Sequence, residues 1–319
     1  MLILAADIGG SQARLLLGTC EGAGWREVRR ETFRSREFSG IEALLQRFLQ
    51  PGEQPHAACL AVAGPVRGAQ VKMTNLPWIL DSAALTERFG FRRLHLMNDF
   101  AAQALALPLL GKDDLRTLQP GVPQADGVCA LIGAGTGLGM ALLAGSAEHP
   151  VAMPSEGGHA DFAPRDAQQR LLLDYLQPQY GRVSLELLLS GRGLERLYRF
   201  VAGLPAGASP SLDAAAITAA ARAGDAQAAA AVDLFGRLLT SAAGNLALTA
   251  LAHGGVFLSG GIAPRILPFL QQPAVRAAFH DKAPMRELLE RIPLHVVINE
   301  QLGLFGAARM AAKLAQAGE

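Results

Sequence analysis

The chain has 319 residues, of which 50% are hydrophobic and 18% charged, so it is long and apolar enough for two packed lobes and is not disordered. Its 29 lysines and arginines against 28 aspartates and glutamates give a net charge of +1, which favours neither nucleic acid nor an anionic membrane as a partner. The three cysteines lie far apart without nearby histidines, which argues against zinc or disulfides and favours a reducing, cytoplasmic compartment. No basic region precedes the first apolar run, so we expect no secretory signal.

The first predicted element is a glycine-containing hairpin over residues 2–17, LILAADIGGSQARLLL. Two apolar runs flank Gly9, Gly10 and the hydroxyl of Ser11. Because glycine has no Cβ, a bound group can approach its backbone closely, as a phosphate-binding turn between two strands requires. Asp7 would repel a phosphate unless a cation lay between them, so this carboxylate indicates a Mg²⁺ ion.

Strands and helices alternate after this hairpin, which indicates an α/β fold. The apolar run AACLAVA at residues 57–63 stops at Gly64 and Pro65 and is typical of a buried parallel strand. Around it we predict a strand over residues 25–33, a helix over 40–49, a strand or loop over 71–78, and a helix from Ser82, as its N-cap, to Phe89.

Two polar residues, Asn98 and Asp99, follow the next predicted strand, at residues 93–97, and precede a predicted helix at 101–107. Open α/β sheets bind ligands beyond the carboxyl ends of their strands. The pair is therefore our candidate for the chemistry. Capping of the following helix by Asn98 or Asp99 is the structural alternative.

A second glycine-rich hairpin is predicted over residues 128–143, VCALIGAGTGLGMALL. Gly135, Thr136 and Gly137 occupy its centre, between two more glycines. A purely structural hairpin is one alternative, and a membrane span is another because the surrounding sequence carries no charge. Four glycines in seven residues would weaken a helix by about 1 kcal/mol each, which argues against the span. Two similar hairpins suggest two similar halves that bind one polyanionic ligand.

Two further segments carry polar residues suited to ligand binding. In PSEGGHADF, at residues 154–162, two glycines allow a tight turn that could aim Glu156 and His159 at one ligand; a turn in which His159 only bonds the backbone is the alternative. Glu186 lies in the first turn of a helix opened by residues 182–184, where the helix dipole stabilises an acid, so a purely structural role is the alternative.

The remaining chain completes the α/β pattern. Residues 203–236 read as a loop and two helices, 294–298 as a strand and 304–317 as a helix. Between them, residues 256–264 read as a strand, a double glycine and a helix start. Gly260 and Gly261 could take the base or sugar of a nucleotide against bare backbone, or form only a structural turn.

Taken in series, eight motifs resemble those of the bacterial glucokinase family, over residues 6 to about 309. They are ADIGGSQARLLL, LAVAGPVRGAQVKMTNLPW, LMNDFAAQALALP, LIGAGTGLGMALL, PSEGGHADFAP, GRVSLELLLSGRGL, FLSGGIAPR and GLFGAAR. The resemblance implies a duplicated actin/hexokinase-like (ribonuclease H-like) α/β fold with two lobes around a central cleft. It also implies a small domain of residues 1–109, completed by a C-terminal helix in 300–319, and a large domain of residues 110–299.

The activity implied by the resemblance is ATP- and Mg²⁺-dependent phosphorylation of D-glucose at its 6-hydroxyl, giving glucose 6-phosphate for glycolysis, in a homodimer. Asp99 would be the catalytic base. Asp99 would also bind the sugar hydroxyls together with Asn98, Glu156, His159 and Glu186. The ATP-binding residues would be Ala6, Asp7, Ile8, Gly9, Gly10, Ser11, Gly135, Thr136 and Gly137, with Gly260 and Gly261 added from their own pattern. Mg²⁺ would be held near Asp7 through water.

The sequence departs from the family pattern at the first glycine turn, where the usual Gly-Gly-Thr-Asn is Gly9-Gly10-Ser11-Gln12. Ser11 keeps the hydroxyl, whereas Gln12 is one methylene longer. The cysteine-rich zinc motif of the related repressor/kinase branch is absent, which places the chain with the zinc-free glucokinases. Two alternatives stay open: a related hexose or N-acetylhexosamine kinase, and a sugar-sensing regulator, although the first strand begins too early to leave room for a helix-turn-helix.

Overall fold

The computed structural model describes residues 1–21, 24–64, 66, 68–146, 148–208 and 212–317. Three features of the sequence-based predictions lie partly outside these residues: Pro65 after the buried strand, residues 209–211 of the expected loop, and residues 318–319 of the expected small domain.

The strands, in chain order, are β1 Leu2–Ile8, β2 Gln12–Glu21, β3 Gly24–Arg34, β4 Ala57–Val62, β5 Gln70–Lys72, β6 Ile79–Asp81, β7 Arg93–Asn98, β8 Leu115–Gln119, β9 Cys129–Ala134, β10 Leu138–Ala144, β11 Val151–Ser155, β12 Gly255–Ser259 and β13 Leu294–Val297. The α-helices are α1 Ile41–Phe48, α2 Ser82–Phe89, α3 Asp99–Ala106, α4 Ala167–Tyr180, α5 Leu185–Leu188, α6 Gly191–Val201, α7 Ala214–Arg222, α8 Ala226–Ala250, α9 Leu267–Leu270, α10 Pro273–His280, α11 Arg286–Glu290 and α12 Leu302–Gln316.

The chain divides into two compact units, one formed by Met1–Leu110 with Gln301–Glu319 and the other by Gly111–Glu300. The first unit is built on a sheet with the strand order β3-β2-β1-β4-β7. In it β1 pairs antiparallel with β2 and parallel with β4, and β4 pairs parallel with β7. All six residues of β4 are buried, as the predicted parallel strand requires. Helix α12 brings the C-terminal segment back to this unit, where it packs on β1 and α3.

The second unit contains a sheet with the strand order β11-β10-β9-β12-β13-β8. Here β9 pairs antiparallel with β10 and parallel with β12, so both units repeat the same motif: a hairpin whose first strand has a parallel neighbour. The long helix α8 packs against α6, α7 and α10 and supplies much of the core of this unit.

The second hairpin consists of two paired strands, which confirms that prediction and rules out the alternative of a membrane-spanning helix for its residues. In the described part of the chain, no helix is both long enough and apolar enough to cross a bilayer.

One capping prediction is wrong. Ser82 is the first residue of α2, and the N-cap is Asp81, whose Oδ1 accepts hydrogen bonds from the N–H groups of Ala83 at 2.9 Å and Ala84 at 3.0 Å. Aspartate and serine are both good N-caps, and the end of β6 at Asp81 decides the position because that residue keeps extended backbone angles.

Candidate functional site

The first glycine turn joins β1 to β2 and is closed by one backbone hydrogen bond. Gly9 N–H donates to the carbonyl of Gln12 at 2.9 Å. For the N–H groups of Gly10 and Ser11, no acceptor is found among the described residues. The turn therefore presents two adjacent donors, the arrangement that binds a phosphate oxygen.

A buried serine holds this turn in place. The hydroxyl of Ser35 donates to the carbonyl of Gly9 at 2.8 Å, and the Ser35 N–H donates to the carbonyl of Ser11 at 3.1 Å. Ser35 has no solvent exposure. Sequence reasoning missed this residue, because a serine just beyond a predicted strand has no distinctive pattern.

The Gly10 position excludes any side chain. A Cβ there would lie 2.6 Å from the Cβ of Asn75, which belongs to the loop between β5 and β6. Asn75 was predicted only as part of a strand or loop. The only sign in the sequence that Asn75 has a function is that its motif, TNLPW, is part of the family resemblance.

Asp7 lies near the end of β1 with its carboxylate beside two other groups. Arg14 Nη1 is 3.8 Å from Asp7 Oδ2, and a Cβ on Gly303 would lie 2.8 Å from the same oxygen. Gly303 thus lets the first turn of α12 approach the carboxylate, where the helix dipole favours negative charge. Burial raises the pKa of Asp7, and the Coulombic effect of Arg14 opposes that rise only in part. A bound cation would favour the ionised carboxylate.

The other residues predicted for this turn have different surroundings. The side chains of Ala6 and Ile8 are fully buried in the core, so only their backbone could serve a ligand. Ser11 is exposed. Gln12 is exposed, and its Oε1 accepts a hydrogen bond from Arg14 Nη2 at 3.2 Å.

Asn98 and Asp99 lie where β7 passes into α3. Asn98 Oδ1 accepts from the N–H groups of Phe100 and Ala101 at 2.9 and 3.1 Å, so the capping alternative is confirmed for Asn98. Asp99 Oδ1 accepts from Asn98 Nδ2 at 3.1 Å and from the Phe100 N–H at 3.0 Å. The cap therefore also fixes the orientation of the Asp99 carboxylate, and capping and chemistry are compatible here.

The second glycine turn, between β9 and β10, has an internal hydrogen bond that spans two residues, whereas that of the first spans three. Gly135 N–H donates to the carbonyl of Gly137 at 2.8 Å, and in the described structure no acceptor is found for the N–H groups of Thr136 and Gly137. The carbonyl of Gly135 accepts from the N–H of Gly191, at the start of α6, at 2.8 Å.

Glu156, His159 and Glu186 meet in the second unit. His159 Nε2 lies 3.8 Å from Glu156 Oε2, and His159 Nδ1 lies 4.0 Å from Glu186 Oε1. The turn with Gly158 between Glu156 and His159 packs on β10, since a Cβ on Gly158 would overlap the carbonyl of Leu138. These three side chains therefore converge next to the second glycine turn. Two carboxylates and an imidazole can pair with several hydroxyls of a polyol.

The double glycine after β12 has one structural and one open position. Gly260 has a left-handed φ of 83°, and a Cβ there would collide with the backbone of Ala134 at the end of β9. A Cβ on Gly261 would have no described atom within 4 Å beyond its chain neighbours, so the backbone of Gly261 is accessible to a ligand.

Comparisons with known proteins identify the family of this chain. The family model described as Glucokinase matches residues 4–314. A glucokinase of Nostoc punctiforme is 38% identical over 98% of this chain and 99% of its own. The crystal structure of a glucokinase from an Antarctic psychrotroph superposes with a TM-score of 0.87 at 34% identity, over 98% of this chain and 99% of that one.

A more distant structure, the glucokinase of Balamuthia mandrillaris in complex with glucose, gives a TM-score of 0.80 at 26% identity, over 97% of this chain and 93% of that one. These similarities confirm the predicted actin/hexokinase-like fold class. With a family match over nearly the whole sequence, they show that the chain belongs to the glucokinase family.

Proposed function

We propose that this chain phosphorylates D-glucose at its 6-hydroxyl with ATP, through the residues described above. The observation that carries this assignment is the convergence of Glu156, His159 and Glu186 beside a turn with two N–H groups suited to phosphate. A polyol and a phosphate can be bound there by neighbouring groups. A glucose-bound relative with a TM-score of 0.80 supports the choice of sugar.

In this proposal Asp99 is the catalytic base. Phosphoryl transfer depends mostly on alignment and charge neutralisation, and the protein has to accept the proton of the attacking hydroxyl. The bonds from Asn98 Nδ2 and the Phe100 N–H hold Asp99 Oδ1, which limits the orientations of the carboxylate before substrate binds. Such preorganisation favours proton transfer.

Sugar specificity is assigned to Asn98, Glu156, His159 and Glu186. The carboxylates accept hydrogen bonds from hydroxyls, the amide donates and accepts, and the imidazole can do either. Leaving one such group unpaired costs about 1 to 3 kcal/mol, so deoxy or epimeric sugars are discriminated against.

The two glycine turns are assigned to the phosphates of ATP, and Gly261 to its base or ribose. Asp7 would hold Mg²⁺ through water, which suits an ion that keeps several of its water ligands and binds through few carboxylates. When bound, Mg²⁺ neutralises charge on the phosphates. Burial raises the pKa of Asp7, and a nearby cation would favour its ionised form.

The two compact units would be the small and large domains of the family, with the helix α12 completing the small one. Homodimer formation and a cytoplasmic location stay predictions of the family resemblance.

Release of ADP that depends on glucose tests the activity directly, in a coupled assay with Mg²⁺ and ATP. Asp99→Asn is expected to lower kcat by about 100-fold or more, because general-base catalysis contributes about 10²- to 10⁴-fold. Glucose binding should remain measurable by calorimetry. The matched control is Asp126→Asn, an exposed carboxylate with no assigned role. Near-normal kcat in Asp99→Asn would rule out Asp99 as the base.

A panel of sugars tests the substrate. The largest kcat/KM is expected for glucose, with mannose, fructose and N-acetylglucosamine well below it. Equal kcat/KM for N-acetylglucosamine would favour an N-acetylhexosamine kinase and would remove the assigned roles of Glu156 and Glu186.

A further inference from the structure

Glu186 contacts the second glycine turn directly, although its expected role concerns the sugar alone. Its Oε2 accepts a hydrogen bond from the N–H of Leu138, the first residue of β10, at 2.9 Å. A Cβ on Gly137 would lie 2.5 Å from the same oxygen, so a side chain at this position would displace the carboxylate from its present place. The carboxylate thus fixes the point where the turn joins β10.

The other carboxylate oxygen is turned to a different partner. Glu186 Oε1 lies 4.0 Å from His159 Nδ1, on the side of the residues assigned to the sugar. One side chain therefore connects the sugar-binding group with the turn assigned to phosphate.

Glu156 provides the contrast within the same group. Its side chain is 72% exposed, and its Oε2 lies 3.8 Å from His159 Nε2. Among the described residues, no hydrogen bond joins this carboxylate to the glycine turn. Glu156 and Glu186, which are both expected to bind the sugar, thus differ in that only Glu186 is bonded to the glycine turn in the described structure.

The backbone around Glu186 is tied on both sides. The Leu185 N–H donates to the carbonyl of Ala160, next to His159, at 2.9 Å. The hydroxyl of Ser190 donates to the carbonyl of Glu186 at 2.9 Å, and the Gly191 N–H bonds Gly135 at 2.8 Å. Helix α5 is therefore tied to both the histidine turn and the glycine turn, which places Glu186 between them.

From this geometry we infer that Glu186 is a positioning residue for the nucleotide: through Leu138 it holds the second glycine turn in the form that binds phosphate, whether or not sugar is present. The inference rests on the proposed function, because it takes this turn as a phosphate-binding element. A bond between a carboxylate and a backbone N–H is stronger than one between neutral groups, so its loss should relax the turn.

The test is nucleotide binding in the absence of any sugar, because a residue that only contacts sugar cannot affect it. AMPPNP with Mg²⁺ is titrated into the full-length protein in a calorimeter. Glu186→Ala removes the acceptor of the Leu138 N–H and should weaken AMPPNP binding roughly tenfold. Glu186→Gln keeps an acceptor oxygen and should stay within about threefold of wild type.

The matched control is Glu156→Ala, which removes the second carboxylate without touching the turn. It should leave AMPPNP affinity unchanged. Both Glu156→Ala and Glu186→Ala should weaken glucose binding. Equal AMPPNP affinity in wild type and Glu186→Ala would overturn the inference while leaving the proposed kinase intact. If Glu156→Ala weakened AMPPNP binding as much as Glu186→Ala does, that would also overturn the inference.

Two further outcomes concern the proposed function. If the wild type did not bind AMPPNP, the proposed function and the inference would both be overturned. If the AMPPNP affinities came out as expected but no ADP were released in the presence of glucose, only the proposed function would be rejected.

Discussion

The two glycine turns present similar pairs of N–H donors and have different supports. In each, the N–H of the first glycine, Gly9 or Gly135, donates to a carbonyl two or three residues further on, and no acceptor in the described structure is found for the next two N–H groups. The first turn is supported by the buried hydroxyl of Ser35. The second is supported by the carboxylate of Glu186, a candidate sugar ligand.

This difference indicates that the shared part of the duplication is the donor pattern, whereas the supports differ in chemistry. A neutral hydroxyl can hold a turn without involving the sugar. A carboxylate that also faces His159 makes the second turn depend on the sugar-binding group. We therefore expect changes near the first turn to alter nucleotide and metal binding alone, and changes near the second to alter both substrates.

Among variants at the two turns, Asp7→Asn is expected to have the largest effect, and it tests the first half of this expectation. Groups that orient a metal's ligands contribute about 10- to 100-fold to metal affinity or activity. The Mg²⁺ concentration for half-maximal activity should rise, or kcat fall, by that factor. Glucose affinity, measured by calorimetry without nucleotide, should not change. A parallel loss of glucose affinity would show that the first turn is not independent of the sugar.

Gly137→Ala tests the second half. The new Cβ would lie 2.5 Å from Glu186 Oε2 and should push the carboxylate away from Leu138. Loss of this bond costs about 1 to 2 kcal/mol, so the KM values for glucose and for ATP should both rise, by about 5- to 30-fold.

Gly135→Ala is the control for that experiment. Apart from its chain neighbours, no atom of the described residues lies within 4 Å of a Cβ at this position, so Glu186 stays in place and the KM for glucose should remain within about twofold. A change confined to ATP in Gly137→Ala would contradict the link between the sugar group and the second turn.

Ser35→Ala should have a smaller effect, restricted to the nucleotide. Removing the hydroxyl leaves the Gly9 carbonyl without that donor, while the bond from the Ser35 N–H to Ser11 persists. A cost of about 1 kcal/mol predicts a rise of about fivefold in the KM for ATP, with the KM for glucose unchanged.

The counterpart variant in the second unit is Ser190→Ala. Its hydroxyl bonds the carbonyl of Glu186, so here both KM values should rise. Identical responses of the two serine variants would remove the distinction between the two supports.

The sequence allowed the local features to be predicted, because they depend on neighbouring residues. The glycine turns, the buried run of β4 and the position of Asn98 and Asp99 at a strand end all follow from short patterns. The supports could not be predicted in this way: Ser35 lies 26 residues from Gly9, and Glu186 lies 48 from Leu138. Such contacts depend on tertiary packing. Asp81 replaced Ser82 as a cap for a related reason, since the end of a strand set the boundary.

The smallest expected effect concerns the pH dependence of stability, and it separates Asp7 from an ordinary surface acid. Burial raises the pKa of Asp7 above 3.8, so the folded state keeps a proton that the unfolded chain has lost. Its contribution to the free energy of unfolding is present at low pH and is lost as the pH rises through the raised pKa. The stability of the wild type relative to Asp7→Asn, measured by urea unfolding, should therefore fall as the pH rises above 3.8, the ordinary pKa of aspartate.

Asp81 is the control and should behave in the opposite way. Its hydrogen bond from Gln70 lowers its pKa, so the stability of the wild type relative to Asp81→Asn should rise with pH. The same slope for both variants would mean that burial does not raise the pKa of Asp7.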